Sequence, residues 1–281
     1  STGYPGLAPL RPKQLKFFAT TAGAYLSTLK RLCVPEEDVF YFEIGNEPNS
    51  STFFMPQQDK DGEWVAPLNY TRMLAYAYDS LKADARKENV RVIVIGGAVA
   101  SKRSPLGFIR QMGEAKRQLG ISGPIMDWFS YHPYGSDSTE PPDTVHPDGR
   151  VIGLADYDQL AETLERSLGR VPPILYSEHG IESTIPPAKE YLYWGHGPNP
   201  APTVPEKQQA RVYNGGVEMA CRQGTRGYFS FKLFDDPQMG SWQSGLHYSN
   251  GGNDATPFGA KASLALFREA RQKTAESGGC G

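Results

Sequence analysis

The sequence predicts an α/β fold built on a parallel sheet, and three observations carry that expectation. Short apolar runs alternate with segments of helical periodicity along the chain. The runs are continuous rather than alternating, which suits strands covered on both faces. The loops that follow them are long and rich in Pro, Gly, Asp and Ser. Strands alternating with helices mean βαβ units. With 281 residues, the chain is long enough to form one large domain, 1–281. A single α/β barrel runs to roughly 250 residues.

Five runs read as strands: 39–44, 92–95, 126–131, 174–176 and 228–231. Helical spacing predicts a helix over 13–32, with Leu15, Phe18, Ala22, Leu26 and Leu29 on one face. A second covers 70–87, with Tyr70, Met73, Leu74, Ala77 and Leu81 inward and Asn69 as its N-cap. Further helices fit 106–118, 157–168, 206–222 and 260–273. No short repeat or linker divides the chain. The loops 48–66, 133–156 and 183–205 stand out, the last containing Tyr191, Tyr193, Trp194 and His196. Long loops at the C-terminal ends of parallel strands are where a barrel builds its site.

Composition excludes several function classes. Hydrophobic residues make up 39% and charged residues 21%, as in a globular rather than a disordered chain. The net charge is −2 and no basic block occurs, so neither nucleic acid nor an anionic membrane surface is an expected partner. No apolar run approaches the roughly 18 residues of a membrane span. Residues 1–12 lack a signal-peptide pattern. Cys33, Cys221 and Cys280 make no metal-type pair. Cys33 and Cys221 read as buried thiols, and Cys280 lies in a Gly-rich tail. No His, Asp and Cys cluster has ligand spacing, so no catalytic metal and no cofactor is expected.

The chemistry is carried by two carboxylates. One strand runs Tyr41-Phe-Glu-Ile-Gly-Asn-Glu-Pro-Asn49 and ends in Glu47; another runs Ile174-Leu-Tyr-Ser-Glu-His-Gly180 and ends in Glu178. The two meet only through the fold. Cleaving a glycosidic bond needs two carboxyl groups flanking the anomeric carbon, one protonating the leaving oxygen and the other attacking or activating water. Glutamate suits both tasks because its surroundings move its pKa in either direction. Strand alternation turns Glu43 away from Ile44, which makes it a structural residue.

Asn46-Glu47-Pro48 after one strand, with Glu178 ending a strand three units later, resembles glycoside hydrolase clan A. That resemblance implies a (β/α)8 barrel, with the acid/base on strand 4 and the nucleophile on strand 7. The five strands here would then be strands 4 to 8. Ser130-Tyr-His-Pro-Tyr134 resembles the clan's strand-6 motif, which implies that His132 and Tyr134 line the site and that Tyr134 holds the nucleophile. Asn46 matches the asparagine that binds the sugar 2-hydroxyl. Trp242-Gln-Ser-Gly-Leu-His247 resembles the substrate loop of families 5 and 39. The implied activity is retaining hydrolysis of a β-linked oligo- or polysaccharide. Transglycosylation at the same site and a non-catalytic carbohydrate-binding barrel are the alternatives. Trp194, Trp242 and His179 are further candidate substrate contacts, and Trp64 and Trp128 read as packing residues. Exported action, secreted or periplasmic, follows from the substrate class.

Two features depart from the clan pattern. Where the clan often has a Trp at the end of strand 8, this chain has Phe229-Ser-Phe-Lys-Leu-Phe234. Lys232 is therefore a candidate contact to a substrate hydroxyl or carboxylate, which leaves room for an acidic sugar. Five strands are also too few for the barrel. The expectation is that roughly 100 residues belong upstream, from the size of such barrels, as a separate segment or chain. That part would hold the clan's strand-2 arginine. Without it, a five-stranded remnant exposes a sheet edge and apolar strand faces. Asn49-Ser-Ser and Asn69-Tyr-Thr match glycosylation sequons by pattern alone.

Overall fold

In the computed structural model, residues 12–33, 36–195, 202–252 and 258–276 are described. His196, Cys280 and the side chain of Cys33 lie outside them. The chain divides into two compact units, one of residues 1–131 and 159–174, the other of 132–158 and 175–281.

In the first unit, helix α1 (Pro12–Thr28) runs into a π-helical turn (Leu29–Cys33), then come β1 (Val39–Glu43), α2 (Ala66–Glu88), β2 (Arg91–Ala100), α3 (Pro105–Gln118) and β3 (Trp128–His132). Helix α4 (Tyr157–Leu168) follows. β1 and β2 pair in parallel, Phe40 opposite Val92 and Phe42 opposite Val94. β3 follows β2 in the sheet. The core of this unit contains Tyr70, Leu74 and Leu81 of α2, Phe108 and Met112 of α3, and Val92 to Ile95 of β2, all buried. Burying such side chains stabilises by about 1.5–3 kcal/mol each. Close approach demands glycine in this layer. A Cβ on Gly113 would stand 2.3 Å from the Ser167 carbonyl oxygen, so α3 and α4 touch backbone to side.

Three expectations change here. β2 continues past residue 95 to Ala100, because Gly96 and Gly97 interrupt the apolar run without ending the strand. Gly97 adopts φ +106°, and a Cβ there would meet the Ser130 carbonyl at 2.4 Å. Asn69 is not a helix cap. α2 starts at Ala66 with Pro67 in its first turn, and Asn69 is buried inside the helix. Phe18 is not on the core face of α1. Leu15 and Leu26 are buried, and Phe18 is exposed, because it lies off the stripe that α2 covers.

In the second unit, β4 (Ile174–His179) and β5 (Tyr228–Ser230) pair in parallel, Tyr176 opposite Tyr228, with an irregularity before His179. Helices α5 (Glu206–Arg222) and α6 (Ala262–Glu276) flank them. The core joins Ile181, Val204, Val212, Tyr213 and Leu246, with Phe267 of α6 against it. A buried ion pair ties the loops. The Lys261 ammonium donates to Asp235 at 2.6 Å, to the Ser183 hydroxyl at 2.8 Å and to the Gln243 carbonyl at 3.0 Å. Asp235 also accepts from the Tyr193 hydroxyl at 2.5 Å and the Gly245 N–H at 2.8 Å. Burial pushes Lys261 down and Asp235 up. Three donors to the carboxylate and three acceptors for the ammonium make the pair a defined tie.

Tyr41 on β1 is 56% exposed and Phe229 on β5 is 58% exposed. Among the described residues β1 pairs only with β2. Both observations accord with the sequence expectation of bare apolar strand faces.

Candidate active site

Glu47 and Glu178 lie in different units, and each is held by its own surroundings. Glu47 sits just beyond β1 with φ +39°, a left-handed conformation unusual for a residue with a Cβ. Holding it there costs about 1–2 kcal/mol. Local bonds over-determine it: Glu47 N–H donates to the Ala98 carbonyl at 2.8 Å, and its own carbonyl accepts from Ser50 N–H at 2.8 Å. Asn49 completes the clamp. Its amide donates to the carbonyls of Ala100 (2.8 Å) and Arg103 (2.9 Å), and its oxygen accepts from Ala100 N–H at 2.9 Å. Tyr70 ties the ends of β1 and β2, donating to the Ile44 carbonyl and accepting from Gly97 N–H, both at 2.8 Å. Strained backbone of this kind gathers at functional positions. Asn49 and Asn69 are both buried and so are not accessible for glycosylation in the folded chain. Asn46 is exposed beside Glu47.

Glu178 occupies the C-terminal end of β4, with its side chain 19% exposed. The Tyr134 hydroxyl donates to its Oε1 at 2.6 Å. His132 Nδ1 stands 3.7 Å from Oε2, and His132 is buried. His179 points into the interior rather than to an open surface. Its Nδ1 meets the Tyr228 hydroxyl at 2.5 Å, and its ring packs on those of Tyr134, Tyr213 and Tyr228. Burial lowers its pKa to about 3, so it is neutral. It supports Tyr134 from behind. Trp242 is 41% exposed, 6.1 Å from the Tyr134 ring and 5.2 Å from Phe231. Trp194 is 55% exposed and bonds through its backbone to Pro237 and Met239 of the loop after β5. Lys232 is engaged with Asp236 as an ion pair. The Phe231–Lys232 peptide is cis. Trp128 packs on Tyr41, and Trp64 lies in the loop before α2.

The loop 133–156 that carries Tyr134 is tied twice. Ser138 Oγ accepts from Glu182 N–H at 2.9 Å, and Glu182 accepts from Gln243 N–H at 2.6 Å. His146 stands between two carboxylates, Asp156 at 2.7 Å from Nδ1 and Glu140 at 3.0 Å from Nε2. The Ser136 hydroxyl also approaches Nε2, at 3.3 Å. Burial works against a charge on His146, but the two carboxylates outweigh it and raise its pKa above the ordinary 6.5. A raised folded pKa contributes stability that is complete below pH 6.5 and is lost as pH rises through the folded value. The stability advantage of the native chain over His146→Gln is therefore expected to shrink on the alkaline side of that value. Urea unfolding across pH 6 to 9 at about one-unit steps checks this. An advantage that grows with pH would contradict it.

Several of these residues escape a reading of the sequence alone. Asn49, Tyr70, Asp236 and Tyr228 act through contacts to residues distant in sequence or in the turn they close, and no local pattern marks them. Asp235-Asp236 shortly after Lys232 was the one visible hint of an acidic partner.

No family model and no curated protein matches the chain. Solved structures do match. A GH39 enzyme from Xanthomonas axonopodis pv. citri is 15% identical at a TM-score of 0.56, covering 93% of this chain and 46% of its own. A monomeric β-xylosidase from Caulobacter crescentus CB15 is 18% identical at 0.53, with 93% and 47% covered. A fungal β-1,4-galactanase is 13% identical at 0.59, with 95% and 71% covered. The chain has the fold of part of a (β/α)8 barrel like those of the enzymes it matches. It spans about half the length of the first two of these structures. Its five strands accord with strands 4 to 8 of such a barrel. No described helix is long and apolar enough to cross a membrane.

Proposed function

We propose that this chain carries the catalytic half of a retaining glycosidase for β-linked sugars, with Glu178 as nucleophile and Glu47 as acid/base. The observation that carries the proposal is the Tyr134–Glu178 hydrogen bond at the end of β4, the strand that resembles strand 7. A donated hydrogen bond stabilises the carboxylate and fixes its orientation before attack. In this reading Glu178 attacks the anomeric carbon, and the bond to the leaving oxygen breaks as Glu47 gives that oxygen its proton. Water then attacks the glycosyl-enzyme, Glu47 takes the water's proton, and Glu178 is released. Such chemistry needs carboxyl groups about 5–5.5 Å apart, whereas inversion needs about 6.5–9.5 Å. Asn46 hydrogen-bonds the sugar 2-hydroxyl. Trp242 and Trp194 offer apolar faces to sugar rings.

The proposal includes a completing segment of strand–helix units that pairs the open edge of β1 and covers Tyr41. The exposed Phe17 and Tyr25 of α1 extend the apolar surface it would cover. Export to a secreted or periplasmic location belongs to the same reading. Incubation with a panel of β-linked polysaccharides and aryl β-glycosides, followed by product mapping, tests the function. New reducing ends are expected. Binding without turnover on every substrate would favour a non-catalytic carbohydrate-binding barrel, and disaccharide products at high acceptor concentration would favour transglycosylation.

A further inference from the structure

Asp236 ties the loop after β5 back onto itself. Asp236 accepts from the Ser241 hydroxyl at 2.8 Å and from Trp242 N–H at 3.4 Å, and its own N–H donates to the Trp242 carbonyl at 2.9 Å. Its other oxygen pairs with the Lys232 ammonium. Lys232 lies 5.5 Å over the Phe231 ring, the same ring that Trp242 packs against. The Trp242 indole in turn packs against Tyr134, which holds Glu178. Burial alone would push Asp236 up, but Lys232 and Ser241 outweigh it and hold the carboxyl below its usual range. Asp236 is therefore a carboxylate at neutral pH.

From this geometry we infer that Lys232 and Asp236 are positioning residues that set the Trp242 face and select a neutral sugar over a uronic acid. The inference rests on the glycosidase reading. Two consequences of the ion pair carry it. Asp236 fixes both backbone ends of the Trp242 segment, so the indole stands as a rigid apolar wall beside Tyr134. Lys232 has its charge met by Asp236 and is not a spare counter-ion for a sugar carboxylate. A carboxylated sugar placed there would meet the Asp236 charge, which Lys232 already balances. An acidic sugar, which Lys232 suggests when the sequence is read alone, is thus disfavoured.

The test compares three variants, Asp236→Asn, Lys232→Met and Lys232→Arg, by kcat/KM on 4-nitrophenyl β-xyloside, β-galactoside and β-glucuronide. The native chain is expected to favour a neutral glycoside over the glucuronide by about tenfold or more. Asp236→Asn frees Lys232 and should narrow that gap by about tenfold, through both a slower neutral reaction and a faster glucuronide reaction. Lys232→Met should slow the neutral reaction without helping the glucuronide, and Lys232→Arg should restore native behaviour. A native preference for the glucuronide, or a gap unchanged in Asp236→Asn, overturns the inference. Positioning is read separately in protein labelled with 5-fluorotryptophan. The Trp242 fluorine resonance, assigned by Trp242→Phe, should shift or broaden in Asp236→Asn and Lys232→Met and return in Lys232→Arg. An unmoved resonance overturns the positioning role. Absence of turnover on every glycoside with a shifted resonance would instead count against the glycosidase reading and the sugar preference while leaving the loop clamp in place.

Discussion

Glu178→Ala is expected to abolish turnover, with kcat falling by roughly 10⁴-fold or more. The remaining site would still bind sugar, so KM should not rise in proportion. The alanine leaves a space the size of a carboxylate on the nucleophile's side of the sugar. Azide fits that space and attacks the anomeric carbon directly, so added azide should restore cleavage and give an α-glycosyl azide from a β-glycoside. The inverted product is the informative part, because it reports a single displacement from the face that Glu178 normally uses. Product configuration by proton NMR checks it. Full residual activity in Glu178→Ala would remove Glu178 from the mechanism. Tyr134 donates to the carboxylate that this variant deletes, so its hydroxyl should then face the incoming azide.

Glu47→Ala should behave differently in a way that separates the two carboxylates. Loss of a general acid costs about 10²–10⁴-fold. That cost should fall on substrates with poor leaving groups. A dinitrophenyl glycoside leaves without protonation, so its first step should survive and the glycosyl-enzyme should accumulate as a burst of phenolate. Azide would then intercept that intermediate and give a β-glycosyl azide, the opposite configuration to that from Glu178→Ala. If both variants gave the same azide anomer, the assignment of roles would be wrong. Glu47 adopts φ +39° between Ala98 and Ser50 contacts, so its side chain is aimed by the backbone and not by its own rotamer alone. Glu47→Ala keeps the Cβ and the strained backbone, which makes it a fairer comparison than a glycine.

The strand order was legible because buried parallel strands must be apolar on both faces, and 92–95 and 174–176 display that requirement without help from the rest of the chain. β2 was read short because Gly96 and Gly97 look like a turn. Only the packing of Leu74 against Gly96 and of Ser130 against Gly97 explains why a strand continues through them. The two glutamates were legible because each follows directly on an apolar strand. The means of holding them was not. Asn49 looks like a sequon and Asn69 like a cap, yet the first is a clamp on β2 and the second a buried helix residue; Lys232, a candidate substrate contact, also pairs with Asp236. Each of those roles depends on a partner brought in by the fold. His179 shows the same limit. Its place next to Glu178 in sequence turns it to the opposite face of β4, where it braces Tyr134 from the interior.

Five strands cannot close a sheet that eight close, and Tyr41 on β1 and Phe229 on β5 are exposed. The solved structures that match this chain are about twice its length in the GH39 and β-xylosidase cases.

The central claim, that Glu178 forms a covalent bond to the sugar, is tested most directly by trapping. A 2-fluoro-2-deoxy β-glycoside with a good leaving group reacts at the first step but hydrolyses slowly, since the fluorine destabilises the positive charge that develops at the anomeric carbon. Incubation with a series of such glycosides, digestion and peptide mass spectrometry should place one fluorosugar on the carboxylate of Glu178 and none on Glu47. A label on Glu47 or elsewhere, or turnover of the parent glycosides with no labelled peptide, would contradict the account.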